Sequence, residues 1–129
     1  MSRLRTIDVD GRLADMDREG IDVMAMYPTV GLFFYGIERV DVAVALCRAY
    51  NDWAHDYCSA SPQRLKAPVL LPQLDVHEAT LELRRGTREL GAKAAMLRPN
   101  PVGERSSLDA KRRVMERFAE SILVPMRAS

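Results

Sequence analysis

The chain has 129 residues, 47% of them hydrophobic and 29% charged, with a net charge of +1. That length suits one domain, or part of one, and is enough to bury a core. The near-neutral balance gives no electrostatic case for a nucleic-acid or membrane-surface partner, and no stretch approaches the roughly 20 apolar residues of a membrane span.

The opening Met-Ser-Arg-Leu-Arg-Thr leads into no apolar segment of the secretory kind, so a cytoplasmic location is expected. Residues 7–11 read as a lead-in, with Asp10 a candidate N-cap. Leu13 and Met16 give a short first helix its apolar edge, and Gly20 closes it in the left-handed conformation glycine adopts without a Cβ penalty. A strand over about 21–27 follows, apolar apart from Asp22 and closed by Pro28. The loop 29–40 is unusually apolar, with Val30, Leu32, Phe33, Phe34, Tyr35 and Ile37 around Gly31 and Gly36. Two readings stand for it. It lines a pocket mouth or a neighbouring chain, or it simply covers the core.

Asp41 is a candidate cap for a helix running to about Ser59. Val42, Leu46, Ala49, Tyr50, Trp53 and Tyr57 fall at spacings of three and four, which predicts a buried stripe. Cys47 and Cys58 lie on this helix, eleven residues apart. They are therefore about 16 Å apart along the axis, beyond the roughly 7 Å Cα limit of a disulfide. Reduced thiols are expected. His55 lies off the stripe and reads as solvated. A second strand over about 65–71 ends at Pro72. Asp75 and Glu78 then make a carboxylate variant of a capping box for a helix 76–90, with Ala79, Leu83 and Leu90 inward. His77, in its first turn, also reads as solvated.

Residues 88–101 repeat the grammar of 18–28: a helix end, a glycine stop at Gly91, a short apolar strand over about 92–97, then Pro99 and Pro101. Ser107 is a candidate cap for a last helix to about Ser121, with Leu108, Met115, Phe118 and Ile122 inward, before another strand-like run from Ile122. Helices alternating with proline-closed strands predict an α/β fold with a parallel sheet.

In such folds the loops after the strands carry function. Here they hold Thr29, Gln73, Arg98 and Asn100. The chain has no Gly-x-Gly-x-x-Gly or Walker loop, no nucleophile elbow and no Cys-x-x-Cys pair. Its two histidines, 22 residues apart, do not make a zinc half-site. Arg98 with Asn100 can hold a carboxylate in a bidentate contact, and Arg98 can equally bond loop carbonyls.

Five segments together carry a resemblance: Arg-Leu-Ala-Asp-Met-Asp-Arg-Glu-Gly-Ile-Asp (12–22), Tyr-Pro-Thr-Val-Gly (27–31), Leu-Cys-Arg-Ala-Tyr-Asn-Asp-Trp (46–53), Pro-Gln-Arg-Leu-Lys (62–66) and Leu-Arg-Pro-Asn-Pro (97–101). In this order they resemble the amidohydrolase-related superfamily, in particular its aminocarboxymuconate-semialdehyde decarboxylase-like branch, over residues 10–103. The resemblance implies a metal-dependent (β/α)8 barrel that hydrolyses C–N or C–O bonds or decarboxylates small carboxylic acids. It also implies a divalent metal, such as zinc, on a His-x-His pair of the first strand, later histidines and an aspartate. None of these ligands can be placed here, so no metal or other cofactor is expected in this chain and no catalytic residue is assigned.

The mapping makes 1–129 a single, truncated domain, a partial (β/α)8 TIM barrel with roughly strands two to four of eight. A closed barrel typically needs about 250 residues. Open sheet edges then predict self-association. Thr29, Arg98 and Asn100 are the candidate substrate-binding residues, for a small carboxylate-containing molecule. Three functions follow: a hydrolase or decarboxylase by ancestry, inactive as an isolated chain; a non-enzymatic interaction module; or a small α/β domain binding an anionic metabolite.

Overall fold

The computed structural model describes residues 8–29, 31, 34, 36–98, 112, 113 and 116. The elements run α1 (Val9–Glu19), β1 (Met24–Ala25), α2 (Val40–Ser59), β2 (Leu65–Lys66), β3 (Val69–Leu70), α3 (Val76–Arg88) and β4 (Ala95–Met96). This is the expected α/β alternation with parallel strands, each shorter than its apolar run. The expected last helix and the strand-like run from Ile122 lie outside the described residues, except that 112, 113 and 116 are helical.

Residues 65–71 form the centre. Their first part pairs with β1 (Met24 with Leu65, Ala25 with Lys66) and their second part with β4 (Val69 with Ala95, Leu70 with Met96), all parallel. Pro68 divides the run because it has no N–H to give the ladder. The last β1 bond runs from the Met26 N–H to the Lys66 carbonyl, 2.7 Å. Strand neighbours thus follow chain order, as in a (β/α) barrel.

Helix ends follow local chemistry. Asp8, not Asp10, caps α1, accepting from the Asp10 N–H at 3.2 Å. Gly20 closes it at φ 71°, and the Ile21 N–H reaches back to the Met16 carbonyl at 2.8 Å. Asp41 does not cap α2. That helix starts two residues earlier than an Asp41 cap implies, at Val40 behind Arg39, and Asp41 sits in its first turn paired to the Arg39 guanidinium at 2.6 Å. Asp75 caps α3 as expected, accepting from the Glu78 N–H at 3.0 Å. This helix ends at Arg88, so Leu90 lies beyond it and is only partly buried.

The buried face of α2 is not the aromatic stripe. Ala43, Cys47, Asn51 and Ala54 face inward, while Trp53 is 49% exposed. Small side chains let the helix axis approach the strand closely. The rings instead contact one another in series, Phe34 edge-on to Tyr50, and Tyr50, Trp53 and Tyr57 tilted against each other, with centroids 6.5, 5.7 and 5.5 Å apart. Of the stripe, Tyr50 also packs against the Cys47–Leu70 cluster.

Val69 and Leu71 pack with Ala79 and Leu83 of α3, whereas Leu70 packs with Cys47 of α2 and with Phe34. Phe34 thus places one residue of the apolar loop against the core. A Cβ on Gly86 would run into the Val69 side chain, so glycine is what lets α3 sit on β3.

Candidate functional site

The C-terminal strand ends are joined by one side chain. Gln73, in the loop after β3, donates from Nε2 to the Arg98 carbonyl (3.2 Å) and accepts at Oε1 from the Arg98 N–H (2.8 Å). A glutamine amide thus continues the β3–β4 ladder past the point where Pro72 stops it. The consequence is a fixed backbone under Arg98. Its side chain is exposed and makes no ion pair among the described residues.

Of the three sequence-predicted binding residues, Arg98 stands at this strand terminus. Thr29 lies exposed in the loop after β1, and no hydrogen bond joins it to Arg98 or Gln73 among the described residues. Asn100 lies outside the described residues. The sequence reading named the 72–73 loop but did not assign Gln73. The available signal was the matching position of Pro72-Gln73 and Arg98-Pro99 after neighbouring strands.

Below the strand ends lies a polar network among buried residues. Alternation along residues 64–70 turns the N–H and C=O of Leu70 toward the β1 edge, which β1 does not reach. Asn51 of α2 takes that place. Its Oδ1 accepts from the Leu70 N–H (2.8 Å), and its Nδ2 donates to the Leu70 carbonyl (2.9 Å) and to Glu82 Oε1 (2.8 Å). Glu82 is fully buried on α3 and holds Arg85 through both oxygens, at 2.7 and 3.0 Å, with Arg48 at 3.3 Å. Arg85 also reaches Asp52 at 2.6 Å. Every buried side-chain nitrogen and oxygen among the described residues has a partner.

This electrostatic setting shows in the neighbouring groups. Hydrogen bonding to Glu82 raises the Arg85 pKa above its ordinary value. Burial, followed by the Glu82 charge, pushes the Cys47 thiol up to about 12. Cys47 is therefore an inert packing group rather than a nucleophile. Both cysteines are free, as expected.

Arg64, within a segment that carried the resemblance, has a structural role. It spans from β2 to the end of α1, donating to the carbonyls of Ile21 (2.9 Å) and Asp22 (3.2 Å) and pairing with Asp17 at 2.6 Å.

The described residues do not fit a metal ion: no group of three His, Cys, Asp or Glu side chains is placed to hold one. His55 is exposed on α2 with Nδ1 3.0 Å from the Leu90 carbonyl, and His77 is exposed on α3. Neither stands at a strand end. No described helix is long and apolar enough to cross a membrane.

With this geometry in place, comparison with known proteins is informative. A family model described as Amidohydrolase matches residues 2–123. No curated protein matches significantly. Among solved structures, 2,6-dihydroxybenzoate decarboxylase from Rhizobium is similar at TM-score 0.67 and 26% identity, covering 87% of this chain and 36% of that one. The 5-carboxyvanillate decarboxylase from Novosphingobium aromaticivorans, solved with manganese and 3-methoxy-4-hydroxy-5-nitrobenzoic acid, gives TM-score 0.71 at 26% identity, covering 88% and 33%. A dihydroxybenzoic acid decarboxylase from Polaromonas sp. JS666, with manganese and 2-nitroresorcinol, gives 0.69 at 24%, covering 87% and 35%. The chain thus spans about a third of the length of the solved structures it matches. The family match over nearly all of the sequence and the shared parallel α/β architecture give one conclusion: this chain belongs to the amidohydrolase family.

Proposed function

We propose that this chain is a truncated single domain supplying one section of an amidohydrolase-type barrel for decarboxylation of a small aromatic carboxylic acid. Arg98, Thr29 and Asn100 belong to its carboxylate-binding part. The observation that carries this reading is Arg98 at the C-terminal end of β4, its backbone held by the Gln73 bridge and its guanidinium exposed and without an ion pair among the described residues. A planar guanidinium meets a carboxylate in two parallel hydrogen bonds, and a fixed backbone reduces the entropy lost on binding. Similarity to decarboxylases of dihydroxybenzoate and carboxyvanillate supports the substrate class.

In this reading the chain by itself is not catalytic, which is supported by the lack of a metal-ligand set among its described residues. The manganese of two similar structures supports a divalent ion in the complete barrel. Among the described residues, β1 and β4 each have one strand neighbour, which supports association through their free edges.

Titration calorimetry of the purified chain with 2,6-dihydroxybenzoate, with and without manganese, tests the proposal. Arg98→Ala should weaken binding about tenfold or more, the loss expected for a charge-assisted pair, and no carbon dioxide should be released. Binding unchanged by the substitution would remove Arg98 from the site, and turnover would remove the claim of inactivity.

A further inference from the structure

A second place on the molecule has the chemistry of a binding site. A cleft of about 680 Å³ opens between the C-terminal half of α2, the link from β2 to β3 and the residues approaching β4. Neither Gln73 nor Arg98 lines it. It meets the β4 strand at its N-terminal end, away from the site proposed above. Its size falls within the roughly 300–1,000 Å³ of small-molecule pockets.

The walls are mostly alanine, proline, leucine and valine, and the fixed charges among the described lining residues are of one sign. Lys66 and Lys93 line the cleft, with His55, Tyr27, Cys58, Ser59 and Asn51, and among the described residues no aspartate or glutamate does. The Lys66 ammonium donates to the Pro62 carbonyl, which leaves two of its three N–H groups for another acceptor. Lys93 makes no hydrogen bond or ion pair among the described residues. His55 Nδ1 faces the Leu90 carbonyl at 3.0 Å, so it carries the proton and leaves Nε2 for a further partner. The positive field also reaches inside. Burial raises the Cys58 thiol, and Lys66 acts against that rise. In a partly apolar enclosure, such unopposed cations select anions.

We infer that this cleft binds a small anion with an apolar body, of the arene carboxylate class, held through Lys66 and Lys93 with its ring against the apolar wall. This site is independent of the Arg98 reading and stands or falls separately from it.

Cys58 provides the readout, because it lines the cleft while Cys47 is buried in the core. Alkylation of the purified chain by iodoacetamide, located by mass spectrometry, is followed at constant ionic strength with benzoate or neutral benzyl alcohol. Benzoate should slow Cys58 alkylation, and benzyl alcohol should do so much less. The Lys66→Gln/Lys93→Gln variant should raise the benzoate concentration needed for protection about tenfold or more, the effect of losing a charge-assisted contact. Arg98→Ala should leave protection unchanged. Both lysines are exposed, so the double variant keeps its fold, and the benzoate and benzyl alcohol comparison needs no variant at all. Absence of protection, equal protection by the two probes, or benzoate protection that survives loss of both lysines would overturn the inference. Loss of protection in Arg98→Ala alone would move the binding to the other site and overturn it as well.

Discussion

Asn51 decides more than its type suggests, because one amide satisfies a strand's backbone and a buried carboxylate at once. Replacing it by leucine keeps the volume and leaves the Leu70 N–H, the Leu70 carbonyl and one Glu82 oxygen without that partner. An unsatisfied buried group costs about 1–3 kcal/mol, so Asn51→Leu should lower stability by roughly 3 kcal/mol or more in urea unfolding. A loss within about 0.5 kcal/mol would mean that water replaces the amide freely. The thiols make a second prediction. Cys47, near 12, should resist alkylation at pH 8, whereas the partly buried Cys58 reacts. Because the folded state holds the Cys47 proton more tightly, this group's contribution to stability is complete below its ordinary value of 9.0 and is lost as pH rises toward about 12. Cys47→Ala should flatten that alkaline decline, measured as unfolding free energy against pH. The free state of both cysteines was legible in the sequence, but the Asn51 network was not. An asparagine beside an aromatic stripe looks solvent-facing, and its partners lie 19 and 31 residues away in sequence.

Elements were easier to read than the faces they bury. Gly20 and Gly91 both take the left-handed conformation the sequence predicted, at φ 71° and 68°, since the glycine-then-apolar pattern is a local signal. The Asp75 cap was legible for the same reason, and Asp75→Ala should cost about 1 kcal/mol, seen as a lower unfolding midpoint. The phase of α2 was not legible, because hydrophobicity ranked the aromatics above Ala43, Cys47 and Ala54. Close approach to a strand favours small groups instead, and that depends on tertiary distance. The same constraint acts on α3. Gly86→Ala would set a methyl against Val69 and should cost about 1–3 kcal/mol. Adding Val69→Ala should recover part of that loss, and a double-mutant cycle with no coupling would contradict the packing described.

At the scale of the molecule, proline-closed strands and ordered short motifs were enough to suggest the barrel lineage, and the family match and solved structures bear it out. The candidate site was legible only in part. Arg98 could be named from its place after a strand, but the Gln73 bridge depends on which strands become neighbours. The chain carries amidohydrolase architecture and places no metal-ligand set among its described residues; the central proposal is that it holds no metal centre of its own. Its most direct test is the transition-metal content of the purified chain after dialysis against manganese- and zinc-containing buffers and then metal-free buffer, with mass in solution determined on the same sample. The account predicts well below one metal per chain, in an assembly larger than a monomer. One tightly held manganese or zinc per chain, in a monomer that unfolds cooperatively, would contradict it.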